Sequence, residues 1–285
     1  MNAALRRLAL GCMLLFALLL INVNYLQVVR AEALHNDPSN PRLILEEYSR
    51  ERGPILVDDR GGKAIAVSVE TKDRLKYKRV YREGPLYAAA TGFYSLVYGA
   101  TAIEAEANSI LSGTDDSLFV RRIMDTLTGA QPRGGSVQLT LRPEAQKAAA
   151  QAMRGRRGAV VALDPSTGAI LAMVTSPTYD PNVLSSHDPK AIRAAYQKLN
   201  ADPRKPMLNR ATRRTYPPGS TFKLITAAAA LESGKYQRDS KVLNTPRLDL
   251  PQTTVDLPNF DNRPCNPEGE ATLEDSLRRS CNVSM

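Results

Sequence analysis

Ser220 and Lys223 stand three positions apart in "YPPGSTFKLITAAAALESG", directly after Pro217, Pro218 and Gly219. The two prolines fix the backbone and the glycine permits a tight turn, so the chain enters the next segment at a set angle. From Ser220 the residues are strong helix formers as far as a glycine stop at Gly234. The pattern predicts Ser220 at a helix N-terminus, with Lys223 one turn later on the same face. That arrangement suits nucleophilic acyl transfer. First-turn amides lack helical partners and stabilise developing negative charge. Burial at the positive helix end favours a neutral lysine able to take the serine proton. The ordinary alternative is an N-cap serine beside a solvated lysine. A Ser-x-x-Lys match is weak alone, since a chain of this size holds about one by chance.

The second group with chemical capacity is Ser280-Cys281-Asn282, in "LEDSLRRSCNVSM" after a helix-like segment from Thr272. In extended or loop backbone, residues two apart point the same way, which predicts that Ser280 and Asn282 share one cleft. The hydroxyl can relay a proton and the amide can hold a substrate carbonyl. A Ser/Asn turn closing a helix is the alternative reading.

The elements that must position these residues begin with "LALGCMLLFALLLINVNYLQVV", Leu8–Val29, which holds no charged residue. A helix of this length rises about 33 Å, enough to cross a bilayer core. Arg6 and Arg7 keep its amino end cytoplasmic and place everything after Arg30 outside. Cys12 then lies within the membrane; an Ala-Glu-Ala at Ala31–Ala33 leaves a cleaved signal peptide as the second reading. A polar, proline-marked stalk follows, with helical spacing at Leu43, Leu45 and Tyr48. "GPILVDDRGGKAIAVSV" reads as a β-hairpin around Asp59–Gly62. Residues 101–111 and 116–127 read as helices, and "QPRGGSV" (Gln131–Val137) as a linker. The strand "VQLTL" and the helix "RPEAQKAAAQAMRG" come next. "GAVVALDPSTGAILAMVTSP" follows, predicted as a hairpin of central strands buried on both faces.

Composition excludes several classes. The net charge of +9 comes with scattered basic residues and 6% aromatics, a solvated basic surface rather than a nucleic-acid reader. His35 and His187 are far apart without ligand spacing, so no metal centre is expected; His187 reads as a loop residue.

Together "YPPGSTFKLITAAAALESG", "RSCN", "GAVVALDPSTGAILAMVTSPTYDPN" and "LNRATRRTYPPGSTFK" resemble the class B penicillin-binding proteins, monofunctional D,D-transpeptidases of the bacterial wall. The resemblance covers residues 137–285 closely and the anchor-and-stalk plan more loosely. It implies a multidomain α+β fold, of the penicillin-binding transpeptidase/β-lactamase type, behind a transmembrane helix and a small pedestal. The implied domains are a cytoplasmic tail (1–7), an anchor (8–29), a stalk and dimerisation-like pedestal (30–135), and the N-terminal part of the transpeptidase domain (136–285). Ser220 would attack the penultimate D-Ala carbonyl of a stem peptide, and a neighbouring amine would resolve the acyl-enzyme into a cross-link. Lys223 would be the base, Ser280 a proton shuttle and Asn282 a substrate anchor. No cofactor is implied. The implied partners are peptidoglycan stem peptides, β-lactams as inhibitors, the plasma membrane, and glycan-polymerising, division or elongation proteins.

One departure stands out: the family's third motif, Lys-Thr-Gly, occurs nowhere in the 285 residues. The expectation is a truncated chain, inactive as written. The competing readings are a non-catalytic, membrane-anchored scaffold of the wall machinery, or a β-lactam sensor or β-lactamase. Cys265 and Cys281 are the two cysteines beyond the anchor, in a compartment that permits oxidation. They are predicted to bridge, against the alternative of two separate buried thiols.

Overall fold

A computed structural model describes residues 3–31, 41–57, 61–131 and 133–285. His35, most of the stalk, Glu32 and Ala33 of the Ala-Glu-Ala, and the turn residues Asp59 and Arg60 lie outside the described residues. Helix α1 (Ala3–Asn24) runs on through a π-helical turn, Tyr25–Val29. Leu5–Val29 is long and apolar enough to cross a membrane and has no buried portion. The chain divides into two compact units, Met1–Arg214 and Thr215–Met285.

In the first unit α2 (Pro41–Ser49) leads into β1 (Ile55–Val57), β2 (Lys63–Glu70) and β3 (Tyr77–Tyr81), then α3 (Gly84–Thr91). A small ribbon, β4 (Tyr94–Ser95) with β5 (Gly99–Ala100), precedes α4 (Ile103–Glu106), α5 (Asn108–Ser112) and α6 (Phe119–Thr128). Then come β6 (Val137–Leu139), α7 (Pro143–Ala152), β7 (Gly158–Leu163), β8 (Ile170–Ser176), α8 (Pro189–Ala201) and α9 (Arg210–Arg213). One sheet has the order β3-β2-β1-β6, with β6 parallel to β1 and the other pairs antiparallel. Its apolar face buries Ile55, Val57, Ile65, Tyr81, Tyr87 and Leu111 completely or nearly so.

Residues 101–111 form two helices, not one. Ala107 breaks them, at φ −102° and ψ 24°. The cause is a buried charge cluster. Arg52 Nε and Arg79 Nε reach the two Glu104 carboxylate oxygens at 2.7 and 2.6 Å. The Glu104 carbonyl, which a continuous helix would engage four residues on, accepts from Arg52 Nη2 at 2.7 Å. Arg52 also lies 4.2 Å over the Tyr94 ring.

The segment read as a linker is tightly packed. Gly134 donates its N–H to the Glu51 carbonyl and Gly135 to that of Ile110, both at 2.8 Å. A Cβ on Gly134 would sit 1.8 Å from the Leu111 carbonyl oxygen, so glycine here permits backbone on backbone.

The β7–β8 hairpin also departs from expectation. It forms a two-stranded sheet among the described residues, covered by α7 on the face of Ala172 and Val174. Val161 and Leu163 remain 43% and 57% exposed, so these strands are not buried on both faces. Continuous apolar character marked them as sheet interior, but no further strand pairs with β7 among the described residues.

The second unit contains α10 (Lys223–Glu232), β9 (Lys241–Val242), β10 (Arg247–Asp249), β11 (Asp256–Pro258), β12 (Ala271–Thr272) and α11 (Leu273–Arg278). Strand β9 pairs with β12 and β10 with β11, both antiparallel.

Candidate active site

Ser220 lies in a 3₁₀ turn, Gly219–Phe222, and α10 begins only at Lys223. The sequence reading started the α-helix at Ser220. Gly219 at φ +56° and the Thr221 hydroxyl, bonded back to the Pro218 carbonyl, tighten this first turn instead. Ser220 is exposed and does not cap the helix, and among the described residues its hydroxyl makes no hydrogen bond. That removes the ordinary N-cap reading.

Lys223 does not point into solvent. Its Nζ donates to the Ser280 carbonyl at 2.6 Å, to Ser280 Oγ at 3.2 Å and to Asn282 Oδ1 at 2.7 Å. Partial burial pushes its pKa below the usual lysine range. The two motifs quoted from distant parts of the sequence therefore meet at one amino group.

Ser280 reaches that position through a helix end. Helix α11 is capped at its start by the Thr272 side chain, which accepts from the Asp275 N–H. At its end Ser280 turns left-handed, at φ +58°, with its N–H on the Leu277 carbonyl (3.1 Å) and the Cys281 N–H on that of Ser276 (2.9 Å). This is the Ser/Asn turn of the alternative reading, put to use. Of the extended or loop backbone expected here the structure has a turn, and it carries both Ser280 and Asn282 to Lys223.

A residue that the sequence reading missed fixes the far side. Asn259, 6% exposed, accepts with one oxygen from the N–H groups of Asn282 (2.8 Å) and Val283 (3.0 Å). Its amide donates to the carbonyls of Thr245 (3.1 Å) and Arg263 (3.2 Å). In "LPNFDN" it reads as one more turn asparagine, and local sequence carries no signal of these long-range partners. Asn282 Nδ2 in turn donates to the Pro258 carbonyl at 2.8 Å, so one of its donor positions is already occupied.

Cys265 and Cys281 form a disulfide with Cα atoms 5.6 Å apart. It packs with Ala271 and Val242 and ties the residue between Ser280 and Asn282 to the preceding loop. His187 lies in the first unit, its ring against the Asp73 carboxylate (2.7 Å) and the Tyr77 carbonyl (3.1 Å), with no serine partner among the described residues. Among the described residues no cluster of His, Cys, Asp or Glu could hold a metal. The first unit has an apolar cavity of about 710 Å³, lined by residues including Ile103, Leu141, Met173 and Leu208, and none of the Ser220 constellation borders it.

A serine at a helix entry, a half-buried lysine one turn on, and a Ser-x-Asn turn around that lysine are residue types that serine acyl transfer uses. Comparison with known proteins agrees. Residues 52–137 match the penicillin binding protein A dimerisation domain, and residues 158–285 the penicillin binding protein transpeptidase domain. The chain belongs to the class B penicillin-binding proteins. It is 47% identical over its whole length to a peptidoglycan D,D-transpeptidase PbpA of Mycolicibacterium smegmatis, and 46% identical to that of Mycobacterium tuberculosis. It spans 58% of the length of each. The structure of penicillin-binding protein A from M. tuberculosis as an imipenem acyl-enzyme complex superposes with a TM-score of 0.78 at 46% identity. That match covers 84% of this chain and 55% of the other. The fold is thus the α+β transpeptidase fold, with a dimerisation or pedestal domain and an N-terminal apolar helix.

Proposed function

We propose that this chain carries the acylation half-site of a peptidoglycan D,D-transpeptidase, anchored in the plasma membrane by α1 with its bulk on the outer side. The observation that carries the reading is the Lys223 amino group, held by Ser280 and Asn282, three residues after the exposed Ser220. Ser220 Oγ attacks the penultimate D-Ala carbonyl of a stem peptide. Its proton passes to Lys223, directly or through the Ser280 hydroxyl, and then to the departing D-Ala amine. The second donor position of the Asn282 amide holds a substrate carbonyl. A β-lactam enters by the same attack and opens its ring on Ser220. The names of the relatives and the acyl-enzyme complex support this reading. The domain division 30–135 and 136–285, and partnership with glycan-polymerising and division or elongation proteins, belong to the same proposal.

The test is labelling by a fluorescent penicillin in membranes of cells that produce the protein. A protein that carries this chain together with a Lys-Thr-Gly strand labels and its Ser220→Ala variant does not, whereas the 285 residues alone do not label at a useful rate. Lys223→Ala slows labelling by about a hundredfold or more, the usual worth of a general base. Undiminished labelling of Ser220→Ala would refute the nucleophile assignment.

A further inference from the structure

Residues 113–133 leave and rejoin the first unit at one neck. On one side the Gly53 N–H donates to the Leu111 carbonyl at 2.8 Å; on the other the Gly134 N–H donates to the Glu51 carbonyl at 2.8 Å. Arg133 and Glu51 pair there at 3.2 Å. Glu51–Gly53 follow almost directly on α2, and only residues 30–40 separate α2 from Val29. Even fully extended, that connection spans about 40 Å, and α2 adds about 14 Å. The neck is therefore tethered to the carboxyl end of α1 within about 55 Å.

The excursion carries α6, whose side chains sort by sign and polarity. At about 100° per residue, Phe119, Val120, Ile123, Met124 and Leu127 occupy one arc of roughly 140°. A surface helix of a globular domain turns such an arc toward its core. Here it faces outward: these five residues are between 44% and 76% exposed, Val120 and Leu127 most of all. Arg121 and Asp125 pair at 4.0 Å on the opposite side.

We propose that α6 lies in the plane of the bilayer that α1 crosses. Its apolar arc sits at the headgroup–acyl boundary of the outer leaflet, with the Arg121–Asp125 pair on the side turned to water. The inference rests on the anchor reading of α1 given above. A lipid surface fits better than a second copy of the chain. A stable protein interface buries about 800 Å² on each partner, more than the face of one ten-residue helix supplies. A helix tethered to a membrane-spanning segment needs only weak added affinity, which a few apolar side chains provide.

The chain contains no tryptophan, so one introduced indole reports without background. Leu127→Trp and, separately, Phe16→Trp in α1 are made in the full chain. Each variant is reconstituted in phosphatidylcholine–phosphatidylglycerol vesicles whose lipids are brominated near the top of the acyl chains. The proposal expects a blue-shifted Leu127→Trp emission that bromolipid quenches, and loss of that quenching when Val120 and Met124 are also replaced by serine. Quenching at Phe16→Trp without quenching at Leu127→Trp overturns the α6 proposal and leaves the anchor intact. No quenching at Phe16→Trp overturns the anchor itself. A blue-shifted Leu127→Trp emission that ignores bromolipid but grows with protein concentration assigns the face to a second copy, and overturns the proposal as well.

Discussion

Three oxygen acceptors surround Lys223 Nζ, matching the three N–H donors of an ammonium, whereas partial burial favours the neutral amine. The burial effect prevails in direction, and it sets the pH dependence. A general base works only deprotonated, so the acylation rate should rise with pH and reach half its plateau below the usual lysine range. Asn282→Asp would put a carboxylate against the amino group and favour the charged form. The inflection should then move upward, slowing the variant near neutral pH and letting it recover in alkali. Second-order acylation rates with a chromogenic cephalosporin across pH measure this. An inflection that stays put or moves down would remove Lys223 from the base role. Lost stability alone lowers the whole curve without displacing it upward.

At the scale of elements, the site depends on short pieces held by side chains more than on long helices and strands. Asn259 is the clearest case, since its one amide joins four backbone groups from three loops. Asn259→Ala should strand one buried and one part-buried N–H group and two carbonyls, at about 1–3 kcal/mol for the first group left unpaired. Asn259→Asp keeps the acceptor for Asn282 and Val283 and should restore acylation ahead of thermal stability. Equal recovery of rate and melting temperature would reduce Asn259 to a general structural role. The same contrast explains what could be read beforehand. The helix over Lys223–Glu232, the antiparallel β7–β8 pair and the α11 segment follow from local propensity and turn chemistry, and local sequence reports those. The break at Ala107 and the work of Asn259 are imposed by distant partners. Nothing within a few residues of them announces it.

At the scale of the molecule, the segments matched to two different domains interlock within the first unit. Asn182 pairs with both backbone groups of Tyr81, accepting at 2.8 Å and donating at 2.9 Å across the two segments. Fully buried Gln146 donates to the carbonyls of Leu86 and Met173 and accepts the Met173 N–H at 2.9 Å. Ser185 reaches the Tyr94 carbonyl and Asn209 that of Ala89. These contacts predict that 52–137 and 158–214 unfold together. Asn182→Ala should lower the melting temperature of both and cost about 1–3 kcal/mol. Hydrogen exchange should show protection falling in β3 as well as in Asp180–Leu184. A change confined to Asp180–Leu184 would mean that the segments are stable separately. Composition marked the Gly134–Gly135 stretch as a joint, and glycine there also serves close backbone packing.

The left-handed backbone at Ser280 sets activity against thermodynamic stability at a single position. A non-glycine residue there gives up about 1 kcal/mol or more that glycine would retain. Ser280→Gly should therefore melt higher than the native protein, keeping the carbonyl that receives Lys223 while losing the hydroxyl. Ser280→Ala loses the hydroxyl and keeps the strain. If the hydroxyl relays the proton, both variants acylate slowly and only the glycine variant gains stability. If only the carbonyl matters, Ser280→Gly is a more stable protein with native acylation, and a relay role for the hydroxyl is excluded.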